Sequence, residues 1–306
     1  MAARKTSEVE LFRDGRVVRL TRLEMMFWPD ERIRKADLVD YYKGVAAVLV
    51  PHLRDRPFTL KRHYNGPRSP FAWLKDAPAE MPAWIRVAAL PAKSRGGALV
   101  RYPLVNDELA LLWMIEFGCV DLHVWTSRAD LPDRPDYVLF DLDPAGVAFA
   151  DVVRAALLLR EALEALGLEA LVRTTGGDGL HVHVPIARGH THTEARRFCE
   201  IVTGALVRSA RGLVTTERSL ARRRGVFIDT KMNGHGQQIV CLYSVRPRPG
   251  APVAAPLRWE ELDETLDPRD LTMSVVLDRV ERDGDLHAHA LSSRQQLATA
   301  LASVAP

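Results

Sequence analysis

Cysteine is scarce in this chain. Cys119, Cys199 and Cys241 are its three cysteines in 306 residues, and they lie far apart inside apolar runs. No Cys-x-x-Cys pair exists, which excludes a zinc ribbon and favours a reducing, cytosolic setting. An excess of charge of one sign is lacking too. The net charge is +3, so no extreme basic field is available to capture polyanions. Lysine is rare, with seven lysines against thirty-five arginines. Arginine suits a bidentate grip on phosphate, although a GC-rich genome produces the same bias. No apolar run reaches membrane-spanning length, and no apolar stretch follows the start at Met1–Lys5. The expectation is a soluble cytoplasmic protein with no membrane partner. What is present, 47% hydrophobic and 26% charged residues, is ordinary for a globular chain long enough to bury a substantial core.

The periodicity divides the chain into elements. Leu11–Leu20, broken by Asp14-Gly15, reads as a hairpin after a frayed start. Residues 36–50 have helical spacing and should end at Pro51. Phe58–Arg62 reads as a strand, and residues 65–83, rich in Pro and Gly, as an exposed loop carrying Phe71 and Trp73. Asp107–Gly118 is a helix with a glycine stop. Val120–Trp125 alternates, with Asp121, His123 and Trp125 on one face. From Tyr137 the order becomes regular: a strand to Pro144, a helix from Phe149 to Leu166, a strand at Leu171–Thr174, a glycine loop at Thr175–Gly179, a strand at Leu180–Val184, a helix opened by the Thr191-x-x-Glu194 capping box, and strands at Val226–Asp229 and Ile239–Arg246. This β-α-β-β-α-β order is that of a ferredoxin-like or RNA-recognition-motif-like sheet with helices on one face. A Pro-rich stretch and a helical tail follow.

Chemistry concentrates at Tyr137–Pro144. Asp141 and Asp143 sit two apart on a strand, so they share a face about 7 Å apart, while Val138, Phe140 and Leu142 face the core. Paired acids at a strand end repel, and a divalent cation holds both ionised. Asp229 ends another strand of the same sheet. Three aspartates on one face make a hard-oxygen site for Mg²⁺ or Mn²⁺, suited to two-metal phosphoryl transfer. The glycine loop can bring backbone N–H groups to phosphate, and Lys61, Arg62, Arg222–Arg224 and Arg246 lie at strand ends or in neighbouring loops. His181-x-His183 and His190-x-His192 raise a zinc reading that no cysteine supports.

Several motifs in one order resemble a known family. Asp141–Pro144, Thr175–His181, Val226–Asp229 and Tyr243–Val253, with Leu111–Trp113, Gly118–His123, Arg134–Asp136 and Lys61-Arg62 followed by Asn65-Gly66, closely resemble the polymerase domain of bacterial end-joining ligase D, in the archaeo-eukaryotic primase superfamily. The resemblance spans roughly residues 20–280. It implies a mixed α/β (α+β) primase-polymerase fold in a single domain, 1–306: an N-terminal α/β module at 1–135, a metal-binding catalytic sheet at 136–250, and a C-terminal tail at 251–306 packed on it. It implies a free-standing domain without ligase or nuclease parts. Asp141, Asp143 and Asp229 would bind two Mn²⁺ or Mg²⁺ ions. Thr175, Gly176, Gly177, His181, Arg222 and Arg246 would hold a nucleoside triphosphate, with Lys61, Arg62 and His123 lining the nucleotide and sugar site. Phe71 and Trp73 would stack template bases, and Lys35 would grip a 5′-phosphate across a gap. The implied activity is template-dependent addition of nucleotides, ribonucleotides by preference, to gapped, tailed or primed DNA at the nucleoid, beside a separate ligase and an end-binding protein.

Three positions depart from the pattern. Asp178 stands where the loop usually carries lysine, Glu24-Met25 where a second phosphate-gripping lysine is expected, and Met232 where glutamine is common. Two other classes fit parts of the chain. A haloacid-dehalogenase-like phosphatase would use Asp-x-Asp, but it wants Thr or Val where Ala145 stands and has no need of Asp229. A non-catalytic nucleic-acid-binding module would use the sheet, which lacks the aromatic strand motif of such modules.

Overall fold

The computed structural model describes residues 8–92, 95–298 and 300. The frayed start and Met1–Lys5, and most of the Ala/Ser-containing end, lie outside the described residues. The chain forms two compact units. The first comprises Met1–Val124, Val240–Val253 and Leu271–Gly284, and the second Trp125–Ile239, Ala254–Asp270 and Asp285–Pro306.

The first unit opens with the expected hairpin, Val9–Arg13 paired with Arg16–Leu20. Asp14 and Gly15 both have positive φ, at 50° and 73°, as a two-residue turn matched to strand twist requires. The following helix, Lys35–Leu53, runs past Pro51 rather than ending there. In the last turn proline removes one amide and leaves the rest of the ladder intact, so Arg54 N–H still reaches Val50 O at 2.9 Å and Leu53 is fully buried. Phe58–His63 pairs antiparallel with Phe71–Leu74 and with His123–Val124. The stretch 65–83, expected as a loop, therefore contains a strand, because Phe-Ala-Trp-Leu alternates against an open edge. A second hairpin, Val87–Pro91 with Leu99–Pro103, was not anticipated.

The expected strand Ile239–Arg246 shrinks to Ile239–Val240. Cys241 N–H and Arg246 N–H bond to the backbone oxygens of Leu122 and Pro252, both at 2.8 Å, and two further backbone groups are met by side chains of the long helix. Tyr41 donates its hydroxyl to Tyr243 O at 2.8 Å, and Tyr42 accepts from Val245 N–H at 3.0 Å while donating to Val120 O at 2.7 Å. Tyr243 itself turns through φ 61°.

The second unit is built on a six-stranded sheet in the order Val214–Thr215, Gly225–Ile228, Tyr137–Ala145, Leu180–Pro185, Leu171–Thr174, Pro256–Leu257. Only the first pair is parallel. Its four principal strands keep the 4-1-3-2 order of a ferredoxin-like sheet. Helices Phe149–Ala165 and His192–Ser209 both pack on the Tyr137–Ala145 strand. Val138, Phe140 and Leu142 are fully buried, and the Phe140 and Phe198 rings meet edge to face. The Thr191–Glu194 capping box forms as expected, with Thr191 Oγ1 accepting from Glu194 N–H and Glu194 accepting from Thr191 N–H. The other sheet face carries Asp141, opposite His181, and Asp143, opposite Phe227.

Asn233 fixes this strand from outside the ladder. Its Oδ1 accepts from Leu139 N–H at 2.8 Å and its Nδ2 donates to Leu139 O at 2.7 Å. The side chain is buried, so removing it leaves Leu139 N–H without a partner and Leu139 O with only the Cys199 Sγ contact at 3.5 Å. Asn233→Ala should cost about 3 kcal/mol, read as a lower denaturation midpoint in urea with an unchanged slope.

Candidate active site

In the second unit three carboxylates gather at one end of the sheet. Asp229 follows directly on the strand Gly225–Ile228, and its N–H donates to Asp141 O at 3.1 Å. Each acid has a different environment. Asp141 Oδ1 lies 3.0 Å from His181 Nε2. Asp229 Oδ1 accepts from Arg218 at 3.2 Å and from Lys231 N–H at 3.0 Å. Asp143 has neither a hydrogen bond nor an ion pair among the described residues. The protein mass around its carboxyl, then the charges of Asp141 and Asp229, push its pKa up to about 7, with Arg223 opposing and Asp178 adding to the rise. Arg223 is held over the Phe227 ring, 3.6 Å from its centroid.

A divalent cation suits the chemistry of this donor set, because crowded carboxyl oxygens, one with its pKa pushed up to about 7, are what a hard cation would ionise and neutralise. The set is not a finished cage. Among the described residues no three His, Cys, Asp or Glu side chains stand in metal-holding geometry, and Asp229 is turned toward Arg218. Arg223 belongs to the Arg222–Arg224 run that the sequence marked, whereas Arg218 had no signal in the sequence.

The glycine loop closes on Thr175. Its Oγ1 accepts from Gly177 N–H at 3.1 Å and Gly179 N–H at 3.3 Å, and donates to Gly179 O at 3.2 Å. Those two amides thus face inward, where the sequence suggested an outward cradle for phosphate. A hydroxyl two residues from an amide satisfies it locally. Thr175, Gly176 and Gly177 are buried and Asp178 is exposed. A Cβ on Gly179 would stand 2.4 Å from Leu142 O and 3.1 Å from Asp143 Oδ1, so only glycine lets the loop lie against the acids. Arg222 forms a fork with Glu217 at 2.9 and 3.2 Å.

In the first unit the basic residues converge on an acid the sequence did not single out. Asp121 is completely buried, with Lys61 Nζ 2.8 Å and His123 Nε2 2.9 Å from Oδ2. His63 Nε2 stands 3.5 Å from Oδ1, and Arg246 Nε 4.0 Å from Oδ2. Burial alone would raise the Asp121 pKa. Hydrogen bonding from His123 and His63, with the charges of His123 and Lys61, outweighs it and holds the carboxyl far below the ordinary range. Burial lowers His123, with Arg246 and Lys61 adding to the effect against the pull of Asp121. At neutral pH His123 is therefore a neutral donor to the carboxylate.

Phe71 and Trp73 are half exposed, with centroids 4.5 and 5.6 Å from Lys61 Nζ, and Trp73 meets the His123 ring edge to face. Two expected members are elsewhere. Strand alternation sends Arg62 to the face opposite Lys61, over Phe117 and Tyr64 at 3.9 and 4.8 Å from the ring centroids. Lys35 is buried, donating to Glu116 Oε2 at 2.6 Å and Thr21 O at 2.9 Å, because Glu116 closes the neighbouring helix against it.

A ferredoxin-like sheet with three aspartates on its open face and a glycine loop against them is the arrangement of a primase-polymerase domain. The polymerase domain of Mycobacterium tuberculosis ligase D, solved in complex with DNA, superposes with a TM-score of 0.84 at 29% identity over 91% of this chain and 99% of that one. The chain belongs to the LigD primase-polymerase domain family, a family of nucleotidyltransferases, whose model matches residues 34–287. It is 32% identical over 281 residues to the multifunctional non-homologous end joining DNA repair protein LigD of M. tuberculosis, covering 88% of this chain and 36% of that protein. It is 33% identical over 277 residues to LigD of Mycolicibacterium smegmatis, covering 89% and 36%, and 27% identical over 270 residues to the bifunctional LigD of Bacillus subtilis, covering 87% and 43%. The chain thus spans about a third of the length of the mycobacterial relatives. The phosphatase reading of Asp141 and Asp143 falls with this membership. Among the described residues no helix is long and apolar enough to cross a membrane.

The lowered Asp121 pKa has a consequence for stability against pH. A carboxyl depressed on folding stabilises the native state fully above its unfolded pKa of about 4, and the gain is lost as pH falls toward the folded value. Unfolding followed from pH 6 to pH 2 should show the first unit weakening below about pH 4. Asp121→Asn should lower stability at pH 6 and flatten that acid limb.

Proposed function

We propose that this chain is a template-dependent nucleotidyltransferase that adds nucleotides, ribonucleotides by preference, to a 3′-hydroxyl at gaps or ends in DNA. The observation that carries the reading is the gathering of Asp141, Asp143 and Asp229 on the open face of the sheet, with the Asp143 pKa pushed up to about 7 by burial and then by the charges of Asp141 and Asp229.

In the second unit these three carboxylates would hold two Mn²⁺ or Mg²⁺ ions. When bound, such cations supply positive charge at the attacking and leaving oxygens of an in-line displacement. The protein's own part is positional. Asp143 would hold the cation as a carboxylate, its proton given up to solvent. His181 orients the Asp141 carboxylate through Oδ1. Arg218 counters the charge of Asp229, with its Nη2 3.2 Å from Oδ1. Thr175 fixes the glycine loop, whose residues Gly176 and Gly177, with His181 and Arg222, would meet the triphosphate. Arg222 does so only by leaving Glu217.

In the first unit Lys61, His123 and Arg246 bind the nucleotide, and Phe71 and Trp73 offer half-exposed rings on which unpaired template bases stack. Lys35 is engaged by Glu116 and Thr21, so the 5′-phosphate grip is not assigned to it. Arg62 is left out of the nucleotide set because it lies on the opposite face of its strand. The partners we infer are DNA with a gap, tail or primer, nucleoside triphosphates, and a ligase and an end-binding protein that complete the repair at the nucleoid.

Primer extension with Mn²⁺ on a gapped template tests the reading. Asp229→Ala should reduce it by about a thousandfold or more, and extension retained by a pure preparation of the variant refutes the three-aspartate site. The exposed Asp178 gives a second measurement. Replacing its negative charge by a positive one beside a bound polyphosphate should lower the nucleotide KM of Asp178→Lys by about tenfold, with kcat little changed.

A further inference from the structure

The buried carboxylate of the first unit does more than neutralise its neighbours. Asp121 Oδ2 is an acceptor approached by Lys61 Nζ at 2.8 Å and His123 Nε2 at 2.9 Å. An ionised carboxylate has no proton to donate, so His123 Nε2 must carry one. Burial keeps the ring neutral near pH 7, so Nδ1 is then a bare lone pair. It makes no hydrogen bond among the described residues, and the Trp73 ring lies edge to face against the imidazole with centroids 4.8 Å apart.

We propose that Asp121 is a positioning residue: it locks His123 in the Nε2–H tautomer, so that Nδ1 presents the nucleotide site with a hydrogen-bond acceptor that takes a sugar hydroxyl. This rests on the reading of the first unit as the nucleotide-binding side. It deepens that reading by naming what is read, a hydroxyl donor, and the atom that reads it. The opposite tautomer would present an N–H to the substrate, which a hydroxyl can still accept but without the same geometry. It would also leave an Nε2 lone pair facing a carboxylate in a buried site, which is repulsive. The relation is that of a carboxylate fixing the tautomer of a histidine in a catalytic triad, where exchange of the acid for its amide keeps the shape and loses the tautomer.

Two measurements decide it. On ¹⁵N-histidine-labelled protein at pH 7, without nucleotide, long-range ¹H–¹⁵N correlation should show His123 protonated at Nε2 and unprotonated at Nδ1. A proton on Nδ1 overturns the proposal, and this measurement needs no folded variant. Asp121→Asn should then shift His123 toward the other tautomer and reduce the ratio of kcat/KM for ATP over 2′-deoxy-ATP on a gapped template by about tenfold, mainly through the KM for ATP. A changed tautomer with an unchanged ratio overturns the acceptor role. If the unaltered chain extends no primer with either nucleotide, the polymerase reading fails, while the tautomer measurement still decides whether Asp121 sets the proton on His123.

Discussion

Repulsion between like charges on one sheet face is the constraint around which the second unit is arranged. Asp141, Asp143 and Asp229 are set there by strand register and by a single backbone hydrogen bond, with no freedom to spread apart. Two of the three have a polar partner: His181 meets Asp141, and Arg218 meets Asp229. Asp143 has no such partner, and its proton is what remains to relieve the strain. The Asn233 clamp on Leu139 follows from the same need, since a strand that carries mutually repelling acids must be fixed by bonds that do not depend on charge.

The first unit solves the inverse problem. There one buried carboxylate answers Lys61, His63, His123 and Arg246. A buried charge is tolerated when it is paired and hydrogen-bonded, and Asp121 meets this with an ammonium and an imidazole on one oxygen. Phe71 and Trp73 lie over Lys61, so its charge is faced by carboxylate and by aromatic ring. The second unit thus crowds three carboxylates on one sheet face, while the first gathers its cations around a single acid.

Much of this could be read in the chain. Asp-x-Asp on an alternating apolar strand fixed both its buried face and its acidic face, and the capping box at Thr191 and the Asp14-Gly15 turn were local signals with local causes. The β-α-β-β-α-β order gave the sheet because each element was bounded by its own turn residues. What was hidden depends on contacts distant in sequence. Asp121 looked like one residue of an alternating strand until Lys61, sixty positions away, met it. Lys35 looked available for phosphate because nothing near it in sequence announces Glu116. Arg62 was grouped with Lys61 by adjacency, although neighbours on a strand point to opposite faces. The segment Ile239–Arg246 has strand composition but finds two of its hydrogen bonds on tyrosine hydroxyls, an outcome no local pattern encodes.

The glycine loop sets a fixed pivot beside an exposed acid. Gly179 cannot acquire even a methyl group, because the carbonyl of Leu142 and the carboxylate of Asp143 already fill that space. One residue earlier, the side chain of Asp178 is exposed, so the charge at that position is open to change where the pivot beside it is not. Electrostatic tuning and structural integrity are separated by one peptide bond.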